Sequence, residues 1–405
     1  MRIRMTMAPR DPDEAHRVAT PLELLLDLTF VVAIAQAASS LHHAISSGHA
    51  GHALVAYPMV FFAIWWTWVN MTWFASAYDT DDVLYRLAVF AQMVGVLVLA
   101  AGVPRAFDGS DFTVIVVGYV IMRLALVSQW LRAAASDPVG RSTALRYALG
   151  ITIVQAAWIA RIALPDDWAT TSFLVLVVAE LAIPPWAERT TRTSWHPGHI
   201  AERYGLFTII VLGESVLSAT VGAQVALDAN TALRDLAAII VGGLLLVFAM
   251  WWDYFDLPNE RLVVRARDGF EDHPAGAYIF GYGHYVVLAS AAAVGAGLAV
   301  AIDHVAEGGS GHAVSSGSAL GASVLSDAGA GLAVTVPAAL YILAVWGLHF
   351  RNTPSGLGRN VVTPVTAGLI VASSFSAQPV LFTGLLVSAM VAIRVVTSDD
   401  GPVRA

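Results

Sequence analysis

Residues 21–36 read PLELLLDLTFVVAIAQ, and residues 199–215 read HIAERYGLFTIIVLGES. Both stretches are apolar enough for a membrane helix, yet both carry acidic side chains within the apolar run. A carboxylate near the centre of a bilayer costs about 2.5–3.5 kcal/mol on insertion scales, so such residues usually face a bundle interior or a water-filled cavity. The two stretches therefore predict membrane helices whose acids are candidates for function.

The composition of the whole chain favours the same class. The 405 residues are 57% hydrophobic and 13% charged, whereas a soluble globular domain carries about 25% charged residues. Apolar runs recur along the chain, and a run of about 20 residues crosses a hydrocarbon core of about 30 Å as a helix. The chain has no cysteine, which excludes disulfides, thiolate nucleophiles and cysteine-based metal sites.

The apolar runs predict an all-α polytopic integral membrane protein with about twelve transmembrane helices. The predicted spans are 22–41, 53–75, 83–104, 111–133, 143–163, 168–186, 201–221, 232–255, 276–302, 328–350, 360–375 and 379–396. The break at residues 376–379 leaves open whether the last two spans form one kinked element.

The distribution of arginine predicts that both termini are cytoplasmic. With the N-terminus inside, only Arg105, Arg161 and Arg234 fall near the outer ends of the predicted helices, and most other arginines fall inside, as the positive-inside rule requires. A cleaved signal peptide is the alternative for the first span. Glu23 and Asp27 within its apolar core argue against it.

The predicted organisation has one transmembrane domain, residues 22–396, after a cytoplasmic tail of residues 1–21. Residues 303–331 are rich in Gly, Ser and Ala, and this composition predicts a flexible outer loop.

A weak internal repeat suggests two parallel six-helix halves, residues 22–186 and 199–396. The first helix matches the seventh, and the Trp-rich stretch 65–68 of the second helix matches 251–254 of the eighth. An even number of helices per half predicts repeats related by an axis along the membrane normal. The alternative is that aromatic residues simply recur at membrane interfaces.

Three charged residues are predicted to lie near the middle of the membrane: Glu214, Arg123 and Glu180. The rise of 1.5 Å per helical residue places each of them well inside its span. Arginine does not deprotonate, so a buried guanidinium needs a carboxylate partner. The layer is either a packing ion pair or a substrate or proton site, and the sequence leaves both open.

A second layer of acids is predicted near the cytoplasmic ends: Glu23, Asp27, Glu202, Asp79 and Asp253. Glu23 and Asp27 are four residues apart, so they share one helix face. We interpret this layer as the lining of an inner vestibule.

Two clusters have metal-like features, and for both a structural role is preferred. The acids of residues 79–82 could hold a hard cation, but Asp81 or Asp82 capping the third helix, with Arg86 paired to an acid, explains them better. His199 and Glu202 have the i, i+3 spacing of metal-binding bundles, and one such pair is weak evidence. We predict no metal, no cofactor and no catalytic residue.

The aromatic residues Trp65, Trp66 and Trp68 are candidates for walls that stack on an organic or cationic ligand. An interfacial aromatic belt is the alternative. His284 is a candidate for proton relay because histidine titrates near neutral pH, the alternative being a hydrogen-bonded structural residue.

Together, residues 21–31, the Trp-rich second helix continuing to residues 79–82, and residues 199–215 resemble the bacterial low temperature requirement protein A family. The likeness covers roughly residues 15–395. It implies a polytopic protein of the bacterial inner membrane that is associated with growth at low temperature, and it implies no particular biochemical activity.

We interpret the chain as a transporter or permease with a central cavity between two halves. Its partners would be the lipid bilayer and a small-molecule or ion substrate, with no nucleic acid and no enzymatic activity. The alternatives are an intramembrane enzyme or lipid-handling protein that uses the same acids, and a sensor or scaffold that responds to the state of the membrane.

Overall fold

The computed structural model describes residues 2–11, 14, 18–228, 233–256, 275–310, 325–350 and 357–397. These residues form twelve α-helices and no β-strand. The helices are α1 (Pro21–Ser46), α2 (Ala50–Tyr78), α3 (Val83–Gly109), α4 (Thr113–Ser136), α5 (Arg141–Arg161), α6 (Ala169–Ala187), α7 (Pro197–Asp228), α8 (Leu233–Phe255), α9 (Ala275–Ser310), α10 (Asp327–Val345), α11 (Leu357–Ser373) and α12 (Pro379–Thr397). A 3₁₀ turn (Asp166–Trp168) precedes α6, and a π-helical turn (Trp346–Phe350) follows α10.

Eleven of the described helices are long and apolar enough to cross a membrane. The prediction of an all-helical polytopic membrane protein is confirmed. The eleventh predicted span, 360–375, differs, because the described apolar part of α11, Asn360–Ser373, is shorter than the other helices. The break before Pro379 separates α11 and α12 into two helices.

The predicted outer loop is shorter than residues 303–331. Helix α9 continues to Ser310, and α10 begins at Asp327. Residues 311–324 lie outside the described residues, as does the predicted cytoplasmic loop that carries Arg261, Arg265 and Arg267.

The chain forms two compact units. Unit 1 comprises residues 1–37 and 55–204, and unit 2 comprises residues 38–54 and 205–405. The long helices α1, α2 and α7 each contribute residues to both units. The six-plus-six repeat stays a prediction.

Glycine allows close helix contact within each unit. In unit 1, a Cβ atom on Gly118 of α4 would lie 2.5 Å from the carbonyl oxygen of Gly95 on α3. In unit 2, a Cβ on Gly384 of α12 would lie 2.3 Å from the carbonyl oxygen of Gly242 on α8. Membrane helices have no hydrophobic drive to associate in lipid, so small residues that permit such backbone approach stabilise their packing.

Candidate functional site

Two acids of α1 converge on one arginine of α7 inside unit 1. The Nη1 of Arg203 lies 2.8 Å from Oε1 of Glu23, and its Nη2 lies 2.5 Å from Oδ1 of Asp27. A second bond runs from Nε of Arg203 to Oδ2 of Asp27 at 3.1 Å, so the pairing with Asp27 is bidentate. All three side chains are buried.

A histidine and a tryptophan complete this site. The Nε2 of His199 lies 3.1 Å from Oε1 of Glu23, and the indole N–H of Trp68 donates to Oδ1 of Asp27 at 2.7 Å. The ring of Trp68 packs edge-on against Tyr204 with 4.8 Å between centroids. We name Glu23, Asp27, His199 and Arg203 the α1–α7 cluster.

The start of α1 follows from local sequence signals. The backbone N–H and the hydroxyl of Thr20 both donate to Oε2 of Glu23, at 2.8 and 2.9 Å, and the N–H of Glu23 donates to the Thr20 hydroxyl at 3.3 Å. This reciprocal arrangement is a capping box, and Pro21 occupies the first helical position, where its fixed φ suits the helix. Glu23 therefore caps α1 with one oxygen and faces Arg203 with the other.

The α1–α7 cluster holds more acid than permanent base. Two carboxylates face one guanidinium, which stays protonated, and one imidazole, which can be neutral or charged. With neutral His199 and both acids ionised, the cluster carries a net charge of about −1. A buried net charge is costly, so the cluster is balanced when it holds one additional proton or another cation.

A second ion pair in unit 1 joins α4 and α6. The Nη2 of Arg123 lies 3.1 Å from Oε2 of Glu180. The sequence predicts a carboxylate partner for Arg123 without choosing between Glu180 and Glu214, and the structure identifies Glu180. Glu180 also accepts hydrogen bonds from Trp66 at 2.9 Å, Tyr119 at 2.9 Å and Trp158 at 3.2 Å. Arg123 donates to the Tyr119 hydroxyl as well. This carboxylate is saturated with donors, which favours the packing role that the sequence left open.

A small cavity lies beside Tyr119 and Trp158, two of the donors to Glu180, and has no room for a solute. It has a volume of about 20 Å³ and is lined mainly by aromatic side chains, among them Phe62, Phe112, Tyr119, Trp158 and Phe173. A cavity of roughly 10–15 Å³ holds one water. Substrate binding at Arg123 and Glu180 would require the helices to move.

The three tryptophans predicted as aromatic walls are buried in unit 1, with relative exposures of 0–1%. Trp66 donates to Glu180 and Trp68 donates to Asp27, while Trp65 packs against Trp66 with 5.6 Å between centroids. The interpretation as an interfacial belt is therefore wrong for these residues. Two of them hold the acids in place, because a buried indole N–H needs an acceptor.

Unit 2 contains a further buried ion pair. Arg394 of α12 donates to Asp253 of α8 and to the hydroxyl of Thr363 on α11. Asp253 was predicted to lie with Glu23 and Asp27 in one inner layer. The structure pairs it with an arginine of its own unit, and its place in one layer with the acids of unit 1 stays a prediction.

His284 is buried within unit 2, and both of its ring nitrogens make hydrogen bonds. Nδ1 lies 2.7 Å from the carbonyl oxygen of Phe280, and Nε2 lies 2.9 Å from the hydroxyl of Tyr254. A carbonyl can only accept, so Nδ1 carries the proton and Nε2 accepts from Tyr254 in the neutral ring. The arrangement fits a structural histidine.

The remaining predicted acids are more accessible. Glu214 is partly exposed in unit 2 and accepts a hydrogen bond of 3.4 Å from Ser218, one turn along α7. In unit 1, Glu202 is partly exposed and accepts the backbone N–H of Ala19 at 3.0 Å. Asp79 is also partly exposed. Glu214 belongs to unit 2, so its place in one layer with Arg123 and Glu180 stays a prediction.

The acidic segment after α2 caps α3, as predicted. Oδ1 of Asp82 accepts the N–H of Tyr85 at 2.7 Å, while Oδ2 accepts from the N–H of Met5 at 2.7 Å and from Arg132 at 2.6 Å. Burial opposes ionisation of Asp82, but these backbone donors and the charge of Arg132 outweigh it and lower its pKa. Asp81 pairs with Arg86 at the surface.

Replacing Asp82 with asparagine is expected to destabilise the protein by about 1–3 kcal/mol near neutral pH. The amide NH₂ group would face the donors of Met5 and Arg132, and hydrogen bonds to a charged group contribute about this much. Because folding lowers the pKa of Asp82, its contribution is present above the unfolded-state pKa of about 3.9 and is lost as pH falls through the lower folded-state pKa.

Thermal unfolding of the purified protein as a function of pH tests this. The wild-type and Asp82→Asn curves should differ near pH 7 and converge towards pH 3. The control Asp81→Asn should change little, because this carboxylate is exposed and its φ of 44° suits asparagine. A difference that persisted at low pH would contradict the charge-based explanation.

Sequence reasoning missed the basic partners of the buried acids. The arginine distribution places Arg203 and Arg394 only among the predicted cytoplasmic residues, and the sequence favours a structural role for His199. A usable signal exists for Arg203, since two acids on one helix face with no arginine on that helix require a cation from elsewhere.

The fold and these buried ion pairs define a polytopic helical membrane protein with charged residues inside its helical units. Its family is given by comparison with known sequences. The chain belongs to the bacterial low temperature requirement A protein family, whose model matches residues 18–396.

A curated relative is the uncharacterized protein RA0937 of Rhizobium meliloti (strain 1021), 29% identical over 281 residues. The match covers 66% of this chain and 65% of the relative, so the chain spans just under two thirds of that protein's length. No solved structure gives a significant match.

Proposed function

We propose that this chain is a proton-coupled transporter of the bacterial inner membrane, with both termini in the cytoplasm. The α1–α7 cluster is its proton-exchange site, and its substrate is a small solute or an ion. One observation carries the proposal: two buried carboxylates face one permanent cation and one titratable imidazole. Such a site is neutral only with an extra proton or cation.

The chemistry of coupling follows from this balance. A cationic substrate that enters the cluster replaces the additional proton, and an uncharged one changes the distance between the acids and Arg203. In both cases substrate binding alters the proton affinity of the cluster. Proton uptake on one side of the membrane and release on the other then link transport to the proton gradient. Intramembrane acids serve in proton relays for this reason.

Glu214 is proposed as a second proton-exchanging carboxylate. It lies well inside α7, it is partly exposed, and no arginine or lysine of the described residues lies within 4 Å of it. A carboxylate that is accessible in an apolar helix and lacks a fixed cation is free to bind a proton or a cation in turn.

The link to low-temperature growth remains part of the proposal. The family description supports it, and it is tested by deleting the gene in its bacterium and measuring growth in the cold with and without a plasmid copy.

Transport is tested with purified full-length protein in proteoliposomes on a solid-supported membrane electrode. Substrates are added as pools of one class each: inorganic cations, amines, amino acids and organic anions. We expect a transient current that requires a pH gradient with one pool. Glu23→Gln and Asp27→Asn should reduce it at least about tenfold, because each removes an acid of the proton site.

The matched control is Asp81→Asn, which removes an exposed carboxylate outside the cluster and should leave the current unchanged. Glu214→Gln tests the second carboxylate in the same assay. An absence of gradient-dependent current with every pool, or currents that Glu23→Gln and Asp27→Asn leave unchanged, would refute the proposal.

A further inference from the structure

Arg161, the last residue of α5, is a buried cation without a carboxylate partner among the residues whose side chains the structure describes. Its relative exposure is 9%. The other buried arginines, Arg123, Arg203 and Arg394, each pair with at least one acid. Arginine cannot escape burial by losing its proton, so the charge of Arg161 calls for an anion.

The protein contacts of Arg161 leave most of its donors available. The Nη2 of Arg161 donates to the carbonyl oxygen of Ala169 at 2.8 Å, and its buried Nε has no hydrogen-bond partner in the protein. The guanidinium carbon lies 5.5 Å from the ring centroids of both Phe112 and Phe173. These rings fix the orientation of the guanidinium, which has five N–H donors in all.

Arg161 also lines a groove between α5 and α6 with a volume of about 280 Å³. The apolar part of its wall includes Ala157, Ala160, Leu164, Trp168 and Val175. Leu164, Trp168 and Val175 are 46–61% exposed, so the groove opens outward from unit 1. We name it the α5–α6 groove.

The position of Arg161 in the span matches the level of lipid headgroups. It ends the membrane-crossing helix Arg141–Arg161, so it lies where the hydrocarbon meets the polar region. The exposed Trp168 stands at the same end of the groove, and tryptophan favours this interface. A ligand that satisfies both parts of the site has an anionic head at Arg161 and an apolar chain in the groove.

We propose that the α5–α6 groove binds an anionic phospholipid. The phosphate accepts hydrogen bonds from the Nη hydrogens of Arg161 that have no partner in the protein, since the guanidinium can bind a phosphate with two parallel N–H groups. One acyl chain lies along the apolar wall. The net negative charge of the headgroup balances the charge of the guanidinium. A zwitterionic headgroup balances it less well, because it carries an ammonium of its own.

The test is native mass spectrometry of the purified full-length protein with three probes: dioleoylphosphatidylglycerol, dioleoylphosphatidylcholine and oleate. The two phospholipids have the same chains, so they differ only in the headgroup. We expect the wild type to retain phosphatidylglycerol at least about tenfold more than phosphatidylcholine, since charge-assisted hydrogen bonds are worth a factor of this size. Arg161→Gln should abolish this preference.

Two further variants keep the outcome decisive. Ala160→Trp fills the groove at an exposed position and should reduce retention of both phospholipids even if Arg161→Gln fails to fold. Arg105→Gln removes an exposed arginine near the end of α3 and should change nothing. Equal retention of both phospholipids by the wild type, preferential retention of oleate, or a preference that survives both Arg161→Gln and Ala160→Trp would overturn the proposal.

Discussion

Replacing Arg203 with glutamine is expected to destabilise the protein by about 3–5 kcal/mol, the cost of removing one partner from a buried ion pair. The variant would leave the carboxylates of Glu23 and Asp27 inside unit 1 without their guanidinium, which lies 2.8 and 2.5 Å from them. His199 can compensate at most one of the two charges. The expected signs are poor recovery of monodisperse protein and a lower thermal unfolding midpoint.

A double variant distinguishes loss of charge balance from loss of packing. Arg203→Gln combined with Asp27→Asn leaves one carboxylate beside His199, so a large part of the lost stability should return, and the two substitutions should be strongly non-additive. Arg86→Gln is the control, because its pair with Asp81 is exposed and such pairs contribute about 0–1 kcal/mol. If the double variant were less stable than Arg203→Gln alone, the charge-balance argument would fail.

Replacing Glu180 with glutamine is expected to cost a similar 3–5 kcal/mol. The amide has one oxygen, so its NH₂ group would face either the donor Trp66 or the donors Tyr119 and Trp158. The charge opposite Arg123, which lies 3.1 Å away, is lost as well. The difference between the thermal unfolding midpoints of the purified variant and the wild type measures this loss of stability.

The pair replacement Arg123→Leu with Glu180→Gln tests the packing role. It leaves no buried charge without a partner and keeps an amide oxygen as acceptor for the buried donors, so this variant should recover stability lost in Glu180→Gln. The matched single substitution is Glu214→Gln, which affects one hydrogen bond of 3.4 Å and should change stability by no more than about 0.5 kcal/mol. A large loss from Glu214→Gln would show contacts that the described residues do not account for.

The class of fold was predictable because hydropathy alone sets it. Runs of about 20 apolar residues must be helical in lipid, since every backbone polar group has to be satisfied within the segment. The ends of the helices were less predictable. Helix α9 continues to Ser310 through residues whose Gly and Ser content is typical of a loop. Helix ends depend on packing as well as on composition.

The candidate site was predictable in part. Depth along the helix predicts that Glu214, Arg123 and Glu180 lie at a common level, and the cost of a lone guanidinium predicts that Arg123 pairs with one of the two acids. Depth gives no information about which helices are neighbours. For this reason the sequence does not predict that Asp253 pairs with Arg394 or that α1 and α7 converge on Arg203.

The hydrogen bonds of Trp68 and Trp66 make two of the buried carboxylates optically observable. Each indole N–H ends on a carboxylate oxygen, Asp27 at 2.7 Å and Glu180 at 2.9 Å. Adding a proton to either acid would change the local field at the indole and therefore its emission wavelength. Difference spectra between the wild type and Trp68→Phe would thus report proton binding at Asp27 in the working protein, with no label attached.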